Sequence, residues 1–332
     1  MTTTNGSERT TKILVGYDGS ECAVDAIKDL AHAGLPTSGT AIVLAVASSS
    51  AVPAVAYSPA SAALSEVSWA APSTWQELVD EATKETMDTA SAGAALVRSI
   101  LPHWKIQGDH SLDSPYRGIV DQAEKHGVSL IVVGSHGRST LGRMLLGSTS
   151  QFVLGHAQCS VRVGRRSRTA PGSPLRIVVG VDGSAGSFAA IHEVTRRHWP
   201  EGTTFGVLAS VDLRLSAALA GHAAAAWADS RYLRHDPQAA TPTQIVQAAS
   251  ELLREAGLSA VQVVEEGDPK ITVVEHAERW GADAIFLGAT GLSRTQRFFL
   301  GSVSNTIAAR AHCSVEVVRS LKGMANVVRG VE

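Results

Sequence analysis

Short apolar runs alternate along the chain with stretches whose apolar residues recur at helical spacing. Residues 12–17 (KILVGY), 40–47 (TAIVLAVA), 104–110 (WKIQGDH), 129–134 (SLIVVG) and 160–164 (SVRVG) are β-rich. Several are apolar almost throughout, which predicts strands covered on both faces. Val24, Ile27 and Leu30 are spaced to line one helical face, as are Phe188, Ile191 and Val194. Ile245, Ala249, Leu252, Leu253 and Ala256 form a further stripe, with Gly257 where a helix C-cap belongs. Strands alternating with helices predict right-handed crossovers and a doubly wound parallel sheet. Ligands on such sheets sit at the C-terminal strand ends, near the reversal of strand order.

The whole pattern occurs twice. KILVGYDGS at 12–20 returns as RIVVGVDGS at 176–184, an offset of 164 residues. IVVGSHGRSTLGRMLLGS at 131–148 returns as IFLGATGLSRTQRFFLGS at 285–302, an offset of 154. Cys159-Ser160-Val161 and Cys313-Ser314-Val315 keep that second offset. The period far exceeds the roughly 20–50 residues of a solenoid repeat, so this is a duplicated domain. The expected domains are 10–165 and 174–320, each a doubly wound five-stranded parallel sheet. The Arg-, Ser-, Gly- and Pro-rich stretch 164–175 fits a linker between them. The low-complexity stretches 47–74 and 215–226 read as long connections, surface loops before lids.

Composition narrows the function classes. The chain has 332 residues, 44% of them hydrophobic and 18% charged, with a formal net charge of −2. That balance gives no general electrostatic case for nucleic acid or an acidic membrane surface. Residues 41–65 carry no charge, but Pro53, Pro59 and a cluster of serines interrupt any membrane span. The start, MTTTNGSERTTK, lacks the apolar core of a signal peptide, and three cysteines are too few and odd in number for a disulfide framework. The expected compartment is the cytoplasm.

The candidate chemistry lies in a glycine pattern. Gly134-x2-Gly137-x9-Gly147-Ser148 starts at the end of a predicted strand, and Gly288-x2-Gly291-x9-Gly301-Ser302 repeats it. Glycine there permits positive φ or close backbone approach to a ligand. The Gly-Ser precedes a helical run (149–157 and 303–311), whose free N–H groups and dipole favour an anion. Repetition with the glycines kept and the intervening residues varied favours a phosphate cradle over mere turns. Asp18 and Asp182 end the first strand of each copy in G-x-D-G-S, facing the ligand crevice, where a carboxylate can accept bonds from ribose or base. An N-cap is the other reading for them, though Ser20 or Ser184 can fill that role.

With these motifs on the page, the sequence resembles the universal stress protein family in its tandem two-domain form, over roughly 12–319. The family's ATP-binding members carry G-x2-G-x9-G-[S/T] after strand four and an Asp after strand one, and both copies match. The resemblance implies a HUP-type, adenine-nucleotide-hydrolase-like α/β fold that binds ATP, with Mg²⁺ on the phosphates. It implies contacts from Asp18, Gly134, Gly137, Arg138, Gly147, Ser148 and Thr149 in copy one. In copy two they come from Asp182, Gly288, Gly291, Gly301, Ser302 and Val303. It also implies adenine held by backbone near Val46 and Ser210, and last strands (Ser160–Gly164 and Ser314–Arg319) pairing as an intrachain pseudo-dimer, with a homodimer open. Two features depart from the pattern. Cys-Ser-Val replaces Cys-Pro-Val in both copies, and copy one has Asp113-Ser114-Pro115 where copy two has Gly267-Asp268-Pro269. Arg138 has Leu292 as counterpart, so the two sites are expected to differ in affinity. Arg143 and Arg297 do correspond, with phosphate contact and a solvated face both open.

No G-x-x-x-x-G-K-[S/T] and no strand-following G-x-G-x-x-G occurs. His136 faces Thr290 in the alignment and reads as a surface imidazole; His156 faces Arg310, which speaks against zinc with Cys159. The expected function is an ATP-binding regulatory module with an unidentified protein partner and little or no turnover. The alternative is a slow nucleotide hydrolase or adenylyl transferase.

Overall fold

The structure is a computed structural model describing residues 11–47, 71–136, 146–211, 241–291 and 300–319. Strands β1 (Lys12–Gly16), β2 (Thr40–Ala47), β3 (Lys105–Leu112), β4 (Leu130–Gly134) and β5 (Ser160–Gly164) alternate with helices α1 (Glu21–Asp29), α2 (Ala71–Ile100), α3 (Pro115–His126) and α4 (Ser148–His156). The second half repeats this as β6 (Arg176–Gly180), α5 (Ala185–Thr195), β7 (Thr204–Val211), α6 (Pro242–Glu255), β8 (Ser259–Glu266), α7 (Pro269–Trp280), β9 (Ala284–Gly288), α8 (Ser302–Arg310) and β10 (Ser314–Val318). The expected connection 47–74 is shorter than read from sequence, because α2 already begins at Ala71. Pro72 is compatible with that start, since the first helical turn has no use for its missing N–H. The rest of that stretch from 48 on, and 215–226, fall outside the described residues.

The ten strands form one sheet in the order β3-β2-β1-β4-β5-β10-β9-β6-β7-β8. Every pair within a half is parallel, and the halves join through an antiparallel β5–β10 pair with Arg162 opposite Glu316. Parallel strands are covered by helices on both faces. Accordingly Ile13, Leu14 and Val15 of β1 are all buried, as are Val161 and Val163 of β5. Helix α1 turns Ala23, Ala26 and Ile27 to the core from its Ser20 cap, and the stripe on α6 buries Ile245, Ala249 and Leu253. Gly257 follows that helix at φ +78°, a left-handed position beyond its end.

The stretch 164–175 is tied down where it leaves β5. Arg165 crosses the junction and donates to Cys313 O (3.1 Å) and Ala308 O (2.6 Å), the latter in the last turn of α8. Its counterpart Arg319 donates to Leu154 O (2.7 Å) in the last turn of α4. Each half thus supplies a cation to the negative end of a helix in the other half. Among the described residues, no helix is long and apolar enough to cross a membrane.

At the junction, Gly34 adopts φ +62°, and a Cβ there would meet the Trp199 ring at 2.9 Å. Its carbonyl accepts from His198 N–H of the second half. Gly34→Ala combines left-handed strain with overlap, so it should destabilise by about 2 kcal/mol or more in urea unfolding. Gly257→Ala, which meets nothing within 4 Å, should cost only the strain, about 1–2 kcal/mol.

Candidate functional site

β1 and β4 are neighbours, yet β1 leads outward to β2 and β4 leads outward to β5, so strand order reverses between them. β6 and β9 repeat this reversal in the second half. The chain after each of these strands lines the two crevices. Ser20 caps α1 by accepting from Ala23 N–H at 3.2 Å, and Ser184 caps α5 by accepting from Ser187 N–H at 3.2 Å. The serines therefore cap the helices, and the aspartates do not. Asp18 Oδ1 and Asp182 Oδ1 each accept from the following serine's N–H at 3.0 Å, which fixes the carboxylates beside the helix starts.

The glycines act through space. Among Gly134, Gly147, Gly288, Gly291 and Gly301, none has positive φ, so of the two roles expected for them it is close approach that remains. A Cβ on Gly134 would stand 2.8 Å from the Cys22 carbonyl carbon, and one on Gly288 would stand 2.3 Å from that of Gly186. The first glycine of each motif lets the helix after strand one lie over the end of strand four. The second has a different neighbour. A Cβ on Gly291 would meet Asp182 Oδ2 at 2.6 Å, so the loop after β9 and the carboxylate after β6 meet in space.

Gly147 and Gly301 stand at the N-caps of α4 and α8, and no side chain caps either helix. Their own N–H groups are already used, donating to Ser135 O (2.8 Å) and Ala289 O (2.7 Å), which closes each loop onto its strand end. Anion donors at these positions would therefore come from the first helical turn, beginning at Ser148 and Ser302, both exposed. Thr149 is half-buried, and Val303 packs on the core, leaving only its backbone for the crevice. Sequence reasoning missed Ser150 and Ser304. Their hydroxyls donate to Gly134 O (2.6 Å) and Gly288 O (2.7 Å), tying each helix start to the first glycine. The signal was present, since G-S-x-S recurs at the offset of 154.

Val46 lies in register with Ser111 and packs toward Gly118 of α3, where a Cβ would come within 3.2 Å. Ser210 donates to Gly267 O (2.6 Å) and accepts from Thr272 Oγ1 (2.9 Å). Both side chains are thus turned to the structure, which leaves the backbone of strand two for any ligand. His136 lies 3.1 Å from Ser135 Oγ through Nδ1. Burial, and then the charge of Arg165, hold it below the ordinary imidazole range, so it is neutral at pH 7. Gly137, Arg138, Arg143, Leu292 and Arg297 lie outside the described residues. His156 is exposed on α4, its ring nitrogen 2.9 Å from Phe152 O. Cys159 and Cys313 are buried, and burial pushes their thiols up to about 11 and about 12.

A tandem doubly wound sheet with a glycine loop at each switch point defines an α/β protein of the HUP type, and the comparisons agree. The universal stress protein family model matches residues 9–165 and again 175–319. The chain belongs to the universal stress protein family. A universal stress protein of Mycolicibacterium smegmatis is 30% identical over 224 residues, covering 64% of this chain and 69% of that protein. Another, from Methanocaldococcus jannaschii, is 38% identical over 88 residues, where the match spans about half of the relative's length (52%). In overall fold, a universal stress protein from Archaeoglobus fulgidus superposes with a TM-score of 0.62 at 17% identity, over 94% of this chain and 99% of that one.

The two glycines of each motif should separate by experiment. Gly288→Ala forces backbone on backbone and should cost several kcal/mol, about 3 or more, in urea unfolding. Gly291→Ala displaces only a carboxylate and should lose about 1 kcal/mol or less. Alkylation with iodoacetamide should modify one thiol of the native protein, the half-buried Cys22, and all three after unfolding.

Proposed function

We propose that the chain binds adenine nucleotide, ATP with Mg²⁺, at one site in each of the domains 10–165 and 174–320, and regulates with little or no turnover. The contact of Asp182 with Gly291 beside the uncapped start of α8 carries this reading. A carboxylate suited to ribose or base and a helix terminus suited to phosphate stand on one crevice, as the ends of a nucleotide require. Asp18, Gly134, Gly147 and the start of α4 hold the equivalent positions in the first half. Mg²⁺ fits as an ion held chiefly by the phosphates and water, since among the described residues no group of three His, Cys, Asp or Glu forms a metal site. The cation would neutralise phosphate charge. The protein's own groups bind and orient the nucleotide.

Calorimetric titration of nucleotide-stripped protein with ATP and Mg²⁺ should give a stoichiometry near two. ATP should raise the Tm more than GTP, the stabilisation being about 2.7 kcal/mol at a hundredfold excess over Kd. Asp18→Ala plus Asp182→Ala should weaken ATP at least tenfold while sparing inorganic phosphate. Gly137→Ala plus Gly291→Ala should weaken both in a protein with unchanged circular dichroism. ATP binding at parental affinity in the folded glycine variant would remove the proposed site.

A further inference from the structure

The centre of the sheet holds a buried set of charges that nucleotide binding does not use. Arg162 of β5 is fully buried and donates through Nε to Asp29 Oδ2 (2.6 Å), through Nη2 to Asp29 Oδ1 (3.2 Å) and through Nη1 to Glu316 Oε2 (3.2 Å). Glu316 of β10 is equally buried and also accepts from Arg197 at both oxygens, the Nη1 contact being 3.0 Å. Arg197 donates further to Ala33 O (2.6 Å) and to Glu193. Two arginines face two buried carboxylates, with the guanidinium carbons 5.9 and 5.2 Å from the Phe286 ring centroid.

The repeat offsets make this set unusual. Arg162 and Glu316 hold equivalent positions at the offset of 154, and they pair with each other in the strand register. Arg197 is equivalent to Ala33, and Glu193 to Asp29, at the offset of 164. Two first halves joined through β5 would set guanidinium against guanidinium, each lacking the Glu316 acceptor. Two second halves would set Glu316 against its own copy. Like charges directly opposite destabilise a strand pair, and a buried charge without its partner costs far more than a surface one.

We propose that this charge set selects the partner of each inner strand edge. The β5 edge takes a second-half β10 edge and rejects its own kind, so the chain closes on itself and does not assemble with another copy through like halves. Full-length Arg162→Glu leaves Arg197 alone against Asp29, Glu193, Glu316 and the new carboxylate, and full-length Glu316→Arg sets three guanidinium groups against Asp29 and Glu193. Each variant alone should lose the closed single-chain form, with a urea midpoint lower by about 1 M or more. The double variant restores an opposite-charge pair across the strands, though not the ties to Asp29 and Arg197, and should recover part of that loss. Denatured together and refolded at equal concentration, the two single variants should yield a 1:1 two-chain species by native mass spectrometry, each β5 paired with the other chain's β10. A bridge that merely stabilised would give recovery in the double variant without the mixed species. The proposal falls if either single variant stays a closed chain at the parental midpoint, if the double variant recovers nothing, or if the mixture gives no 1:1 species.

Discussion

The antiparallel pairing of β5 with β10 is the contact on which the remaining architecture depends. A parallel five-stranded half ends in an open edge, and β5 is buried on both faces there, Val161 and Val163 on one and Arg162 on the other. Left unpaired, such a strand is a template for association. Pairing with β10 removes both inner edges at once and, among the described strands, leaves β3 and β8 outermost, where every residue is exposed or half-buried. Because the pair is antiparallel while each half is parallel, the C-terminal strand ends of the two halves point in opposite directions. The two crevices therefore open on opposite edges of one sheet and share no residue.

Within each half a second constraint sets the crevice. The helix after strand one must lie close enough to the end of strand four for its cap, the aspartate and the glycine loop to meet. Gly134 and Gly288 permit that approach by lacking a side chain, and Ser150 and Ser304 fasten the far end of the loop to the same glycines. The first glycine of each motif thus shapes the crevice through packing, whereas Gly291 stands against the Asp182 carboxylate itself.

Much of this was legible in the residues. β-rich runs place all five strands of the first half to within about two residues, and those buried on both faces need no alternation to be seen. The duplicated G-x2-G-x9-G-S placed the loops, and G-x-D-G-S placed the caps. The reason for the glycines was not legible, since sequence shows that a side chain is missing without showing what fills the space. Backbone from Cys22 and Gly186 fills it, more than 100 residues away along the chain. The buried charges were hidden for a similar reason. Arg162 and Glu316 read as polar residues within strands, and only pairing across 154 positions turns them into neighbours.

The two crevices are copies with different walls. In the second half, a Cβ on Gly186 would fall 2.2 Å from Thr290 O, so the loop after β9 has settled into space that only glycine leaves. In the first half that position is Cys22, which carries a side chain, and His136 stands where Thr290 does. The backbone of His136 cannot take the place of Thr290 against that helix without striking the cysteine. A neutral imidazole in one copy and a hydroxyl in the other add a difference in polarity close to the second glycine. Backbone donors that wrap a phosphate are sensitive to shifts of a few tenths of an ångström, because hydrogen bonds weaken steeply with distance and angle. On the proposed reading, two copies of one motif would therefore reach one ligand class with unequal strength, and the cause would lie in the helix beneath the loop as much as in the loop.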